Sequence, residues 1–295
     1  MKRKILVIGS IAIDSTIYTQ TLPSAGTTTI ADSYFLNIGG KGANQACAAM
    51  FLGADISFIG AVGKDHNGDM VVDFLNQQGL KSRIKRSDKP TGVAFIILEE
   101  KSAENRILIV QGANSDLTKE DIDQNLDLFN EGDILLTQFE NSVETVEYVL
   151  KKAKEKGMLV VLNPAPIKKV HDSIYQYVDY LVPNEHELEA LSHNKKVLQG
   201  CRDLLNKGAK NVIVTLGEKG SILVNKKEMI EVAPHRVDAV DTTAAGDSYL
   251  GALVAKLAED TPIKEAMEFA SLCSSKTVTK KGAIVSLPHL NELED

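Results

Sequence analysis

Residues 133–165 read DILLTQFENSVETVEYVLKKAKEKGMLVVLNPA. The two ends of this stretch, DILLTQF at 133–139 and MLVVLNPA at 158–165, are continuous apolar runs rich in branched residues, the pattern of strands buried on both faces. Between them Val143, Val146, Leu150 and Ala153 recur at three- and four-residue spacing with polar residues around the rest of each turn, which predicts an amphipathic helix. A strand, a helix and a strand in so short a span require a crossover, and such crossovers join parallel strands in a right-handed sense. Outward from this unit, KILVIGS at 4–10, ISFIGAVG at 56–63, DYLVPNE at 179–185 and NVIVTLG at 211–217 repeat the strand signal, while Met70, Val71, Phe74 and Leu75 mark another helix. The expected fold is α/β: a mainly parallel sheet flanked by helices on both faces.

Two stretches break this rhythm. Residues 13–37 read as two strands around the turn LPSAG, and residues 92–111 read as VAFIILEE and RILIVQG around the polar turn KSAEN, a hairpin pattern. One hairpin alone is marginal, whereas four strands sharing an apolar face can persist. Both insertions follow early strands, so about 13–37 and 92–111 are expected to form one small antiparallel sheet that acts as a lid over the strand ends. Homodimerisation through that lid is the expected assembly. No repeat of about 20–50 residues and no Pro- or Ser-rich linker divides the chain, so residues 1–295 read as a single domain with a lid.

Composition narrows the function. Of 295 residues, 43% are hydrophobic and 25% charged, and the net charge is -7, the profile of an ordered globular chain. Interspersed signs with an acidic balance argue against a nucleic-acid partner, which needs clustered Lys and Arg. The short runs Lys2-Arg3-Lys4 and Lys151-Lys152 read as solvated ends and helix faces. Cys47, Cys201 and Cys273 are far apart and form no CxxC pair, so neither zinc nor a redox disulfide is indicated and a reducing cytoplasm is expected. The opening MKRKILVIGSIAI imitates a signal peptide, but Asp14 interrupts it and no small-residue cleavage site follows. No apolar run approaches the ~20 residues that cross a bilayer, so no membrane partner is expected.

Chemistry concentrates in two runs. In VDTTAAGDSYLGALVAKL, residues 240–257, Leu250, Leu253, Val254, Leu257 and Ala258 define a helix, and Ala244-Ala245-Gly246-Asp247 stands at its start. Small side chains there leave first-turn N–H groups open to an anion, which the helix dipole also favours. Asp247 would repel a resting phosphate but could take a proton from an alcohol attacking it; Asp is equally at home there as a simple helix cap. In NIGGKGANQACAAMFLGA, residues 37–54, Gly39, Gly40 and Gly42 allow close backbone approach, Lys41 and Asn44 offer polar groups, and Ala46, Cys47, Ala49 and Met50 form the buried side of a helix. A glycine-rich turn with no ligand reads the same way. Neither GxxxxGK[ST] nor GxGxxG occurs, and VIGSIAID carries only Gly9, which weighs against a dinucleotide oxidoreductase.

Together, GGKGANQA and DTTAAGD, in this order and far apart, resemble the two signatures of the ribokinase family, also called the PfkB carbohydrate kinases. TGVA at 91–94, NPAP at 163–166, PNEHE at 183–187 and TLGEKG at 215–220 extend the resemblance along essentially the whole chain. It implies a ribokinase-like, Rossmann-type sheet with a β-sheet lid, and an enzyme that transfers phosphate from ATP to the 5-hydroxyl of ribose.

The resemblance also implies roles. Asp14 would hold two sugar hydroxyls, with Gly40, Lys41, Asn44 and Glu140 as further sugar contacts. Asp247 would act as base, with the amides of Ala244, Ala245 and Gly246 as anion hole. ATP would lie along Asn184, Thr215, Gly217, Glu218, Lys219 and Gly220 and reach Gly246 and Asp247. Glu187 would organise Mg2+ through water, although Glu185 and Glu187 also suit a helix start as dipole partners. K+ would be held around Asp241, Thr243, Thr277, Lys280, Gly282 and Ser286. Ala12 departs from the pattern: many bacterial members have Asn there, so one polar sugar contact is missing, and deoxyribose or a nucleoside becomes an alternative substrate. A catalytically silent sugar-binding protein is a further alternative, against which the retained Asp247 argues.

Overall fold

The computed structural model describes residues 2–99 and 104–293. Of the expected turn KSAEN, residues 101–103 lie outside the described residues, as does Glu100 before it. The chain runs β1 (Ile5–Ile8), β2 (Ala12–Thr19), β3 (Ser33–Gly39), α1 (Lys41–Phe51), β4 (Ile56–Gly63), α2 (His66–Gln77), β5 (Lys81–Ser87), β6 (Gly92–Glu99) and β7 (Glu104–Val110). It continues through α3 (Lys119–Asp123), β8 (Ile134–Gln138), α4 (Val143–Glu155), β9 (Leu159–Asn163), β10 (Tyr180–Leu181), α5 (Glu185–Ser192) and α6 (Val197–Asn206). Strands β11 (Asn211–Thr215), β12 (Ser221–Asn225) and β13 (Met229–Val232) precede the helices α7 (Ala245–Ala258) and α8 (Ile263–Thr277).

Nine strands form the main sheet in the order β13-β12-β11-β10-β9-β8-β1-β4-β5. All neighbours from β5 to β11 pair in parallel, and β12 and β13 add an antiparallel edge. The opening stretch folds as read: β8, α4 and β9 are a strand–helix–strand unit, with Ser142 capping α4 by accepting from Thr145 N at 3.1 Å. The run DYLVPNE yields only a two-residue strand, because Pro183 has no N–H to continue the ladder and Asn184 already caps α5. Alternation along β1 sorts the core into two layers. Ile5 and Val7 pack with α1, α2, α7 and α8, whereas Leu6 and Ile8 pack with α3, α4, α5 and α6.

The second sheet has the order β3-β2-β6-β7. The expectation of an antiparallel sheet is corrected here: β2 and β6 pair in parallel at its centre, with antiparallel partners only outside. Each insertion supplies two antiparallel strands, and the seam between the insertions is parallel. Register puts Asp14 beside Asn37 and Ala94, and Ala94 beside Ile109, on one face; Leu36, Ser15, Phe95 and Leu108 share the other. Among the described residues no helix is long and apolar enough to cross a membrane.

Candidate active site

The two glycine-rich runs start helices whose N-termini differ. At α1 the first amides are already used: Lys41 N donates to Glu140 Oε2 at 3.0 Å, Gly42 N to Ser10 Oγ at 3.3 Å and Ala43 N to Ser10 O at 3.0 Å. Ser10 Oγ in turn donates to Glu140 Oε2. At α7, Ala245 N donates to Thr242 O at 3.2 Å, while the N–H groups of Ala244, Gly246 and Asp247 have no partner among the described residues. Only the second helix therefore presents free amides to an anion. Ala245 is the weakest member of the expected amide set, because its N–H is engaged within the turn. The turn depends on Ala244, the cap of α7, which adopts φ 59 and ψ 8, a left-handed conformation that side chains other than glycine rarely take.

The glycines of the first run have distinct uses. A Cβ on Gly42 would lie 2.5 Å from Gly9 C and Ser10 N, and one on Gly39 would lie 2.1 Å from Asp14 Oδ2. Both let chain segments pack, and of the three only Gly40 lines either of the two cavities that meet at Asp247.

Asp247 is 6% exposed and held by two amides from α1. Asn44 Nδ2 donates to its Oδ2 at 2.8 Å and Gln45 Nε2 to its Oδ1 at 2.8 Å. Small residues bring the helices this close: a Cβ on Gly251 of α7 would lie 2.4 Å from Ala48 Cβ. The sequence reading passed over Gln45, although a lone glutamine in an otherwise small-residue helix face signals a buried polar partner.

Two cavities meet at this carboxylate. The larger, of about 410 Å³, lies beneath the small sheet, lined on its polar side by Asp14, Lys41, Asn44 and Glu140 and on its apolar side by Ala12, Ile96, Ile107 and Ile109. Burial, then the charges of Glu140 and Asp247, push Asp14 up to about 7, with Lys41 opposing. Burial pulls Lys41 down, yet the carboxylates of Asp247, Glu140, Glu187 and Asp14 leave it above its ordinary value. Asn44 Oδ1 is buried with no partner and so is available to a hydroxyl donor. Gln111, Asn114 and Lys168 also line this cavity and were not foreseen; loop residues give no periodic signal.

The smaller cavity, of about 210 Å³, is lined by Lys41, Asn184, Glu187, Thr215 and Ala244 through Asp247. Asn184 and Glu187 form a reciprocal cap: Glu187 N donates to Asn184 Oδ1 at 2.8 Å, and Asn184 N to Glu187 Oε2 at 2.9 Å. Burial raises Glu187 above the usual carboxylate range against the opposing pull of Asn184 N–H and Lys41. Glu185 instead meets Lys219 at 3.5 Å. Gly217, Glu218, Lys219 and Gly220 lie on the turn after β11 and line neither cavity. A Cβ on Gly220 would lie 2.1 Å from Val232 O, so that glycine serves the turn.

The residues expected around a monovalent cation come together beside the α7 terminus. Asp241 Oδ1 accepts from Thr243 N and its Oδ2 from Gly282 N, both at 2.9 Å. Burial opposes these bonds, but Asp241 stays below its ordinary value. Thr277 Oγ1 is bonded to Ser248 Oγ at 2.8 Å and Ser286 Oγ to Ala283 O at 2.7 Å, while the Lys280 ammonium reaches Glu292 at 3.0 Å. What this region can still offer a cation is mainly carbonyl oxygen.

Fold and site together define an α/β phosphotransferase with an alcohol acceptor. The chain belongs to the pfkB family carbohydrate kinases, which it matches over residues 2–290. It is 36% identical to a ribokinase of Haemophilus influenzae across 99% of this chain and 97% of that one. It is 35% identical to a deoxyribokinase of Salmonella typhi with the same coverage. A solved ribokinase of Arabidopsis thaliana complexed with ribose and ATP superposes with a TM-score of 0.89 at 29% identity, covering 99% of this chain and 98% of that one.

Proposed function

We propose that the chain transfers the γ-phosphoryl group of ATP to the 5-hydroxyl of D-ribose, giving ribose 5-phosphate and ADP. The observation that carries this reading is that the larger, hydroxyl-suited cavity and the smaller, amide-lined cavity meet at Asp247. A sugar held by Asp14, Asn44 and Glu140 would present its primary alcohol to Asp247 from one side, and a phosphoryl group would lie on the amides of Ala244, Gly246 and Asp247 from the other. The alcohol oxygen attacks phosphorus in line, the bond to the ADP oxygen breaks, and the alcohol proton passes to the Asp247 carboxylate late in a loose transition state. Ala244, Gly246 and Lys41 stabilise the charge that gathers on the transferred group.

Glu187 fits a magnesium role: one carboxylate beside the phosphate cavity is what a hard cation carried by a triphosphate and water requires. When bound, Mg2+ would neutralise phosphate charge. K+ would sit by the carbonyls around Asp241, where the half-buried ionised carboxylate favours a cation. The exposed apolar face bearing Leu36, Phe95 and Leu108 supports a homodimer formed through the small sheet, which would also act as a lid. Three buried free cysteines suit a reducing cytoplasm.

A second reading, a kinase for deoxyribose or a nucleoside, is favoured by the methyl group of Ala12 in the cavity wall, where no polar group is left unpaired by a missing hydroxyl. ADP release measured over D-ribose, 2-deoxyribose and nucleosides separates the two by kcat/KM. Asp247→Asn is expected to bind sugar and ATP yet lose about a hundred- to ten-thousand-fold in turnover. Turnover near wild type would remove Asp247 from the mechanism.

A further inference from the structure

Gln45 is fully buried and stands in a chain of amides that ends on Asp247. Gln138 Nε2 donates to Gln45 Oε1 at 2.6 Å, and Gln45 Nε2 donates to Asp247 Oδ1 at 2.8 Å and to Asn163 Oδ1 at 3.2 Å. Asn163 Nδ2 continues to Val182 O at 3.1 Å. An ionised carboxylate only accepts, so Gln45 must turn its NH2 to Asp247 and its oxygen to Gln138, which must then donate. The direction of every bond follows from the charge at one end. The amide has no freedom to reverse, because reversal would set two acceptors against each other at a buried position.

From this arrangement we infer that Gln45 is a positioning residue for the reaction, fixing the plane of the Asp247 carboxylate so that a single lone-pair direction faces the attacking alcohol. The inference rests on Asp247 being the base. Asn44 alone holds Oδ2 and allows the carboxylate to swing about its Cβ–Cγ bond; a second donor on Oδ1 removes that rotation. Gln45 lines neither cavity, so its effect falls on turnover and not on the affinity for the sugar.

The test is steady-state kinetics of Gln45→Met and Gln45→Glu between about pH 6 and 9, beside Asp247→Asn. Gln45→Met should lower kcat about 10- to 100-fold, as loss of an orienting partner does, with KM for the sugar within about threefold of wild type. Gln45→Glu keeps the shape but sets two carboxylates together, so one proton is held between them. Its kcat should be low at alkaline pH and recover as the pH falls, when the protonated side chain can donate to Asp247; a packing role would give no such recovery. A kcat within about threefold of wild type for Gln45→Met, or a wild-type pH profile for Gln45→Glu, overturns the inference. If Asp247→Asn is inactive while Gln45→Met is normal, only the role of Gln45 fails; if Asp247→Asn turns over normally, the base assignment fails first.

Discussion

Asp14 carries a cost that substitution should expose. Its carboxyl is raised from 3.8 to about 7, by burial first and then by Glu140 and Asp247. Between those values the folded chain binds a proton that the unfolded chain releases. The contribution of Asp14 is therefore most favourable at low pH, is lost as pH rises through the window, and is gone above about 7. The rise corresponds to about 4 kcal/mol, reduced to about 2–4 kcal/mol because the open cleft lets water screen the like charges. Asp14→Asn removes the titration while keeping the shape. In urea unfolding without ligand, the variant should be more stable than wild type by about 2–4 kcal/mol near pH 8 and by under about 1 kcal/mol near pH 4. The same change should weaken sugar binding about 10- to 100-fold, since hydrogen bonds to a charged acceptor are lost. No gain near pH 8, or an equal gain at both pH values, would refute the reasoning.

Gly251→Ala places a methyl 2.4 Å from Ala48 Cβ and 2.8 Å from Ala49 N; it should cost about 1–3 kcal/mol in urea unfolding and lower kcat as α1 and α7 separate. Replacing K+ with tetramethylammonium should reduce turnover, and unchanged turnover would remove the proposed cation site. Chelating divalent ions should weaken ATP binding, measured calorimetrically, and leave sugar binding intact. Leu36→Asp combined with Leu108→Asp puts charge on the apolar outer face of the small sheet and should yield a monomer by light scattering; a wild type that is itself monomeric would end the proposed assembly.

What could be read in the sequence was whatever burial writes as a pattern. Strands β1, β4, β8, β9 and β11 lie between helices and show as apolar runs. Strand β5 does not, because KSRIKRS forms a sheet edge whose cations face acids: Lys81 meets Asp55 at 2.7 Å, Arg83 meets Asp127 at 2.6 Å and Lys85 meets Asp121 at 2.7 Å. Such an edge resists pairing with other chains and hides its strand from a hydrophobicity reading. The parallel seam between β2 and β6 was invisible because each insertion by itself looks like a hairpin. In the site, Asp247, Lys41 and Asn44 stood out beside glycines, and the structure sets all three on cavity walls. Gln45, Gln138 and Asn163 did not, since their meaning depends on contacts between residues as much as 202 positions apart.

The two cavities have walls with an excess of negative charge. Their walls include four carboxylates, Asp14, Glu140, Glu187 and Asp247, against two ammonium groups, Lys41 and Lys168. A triphosphate entering beside this excess of negative charge meets repulsion that the half-charge of the α7 terminus cannot offset by itself. The proposed cations would offset that repulsion, one travelling with the nucleotide and one strengthening the positive end of α7. The same excess explains the position of Lys41, the one cation on the walls of both cavities: its charge is held in place by the carboxylates around it and lies where negative charge would accumulate during transfer. Substitution of Lys41 would thus disturb the resting site as well as the reaction, whereas substitution of Gln45 separates the two.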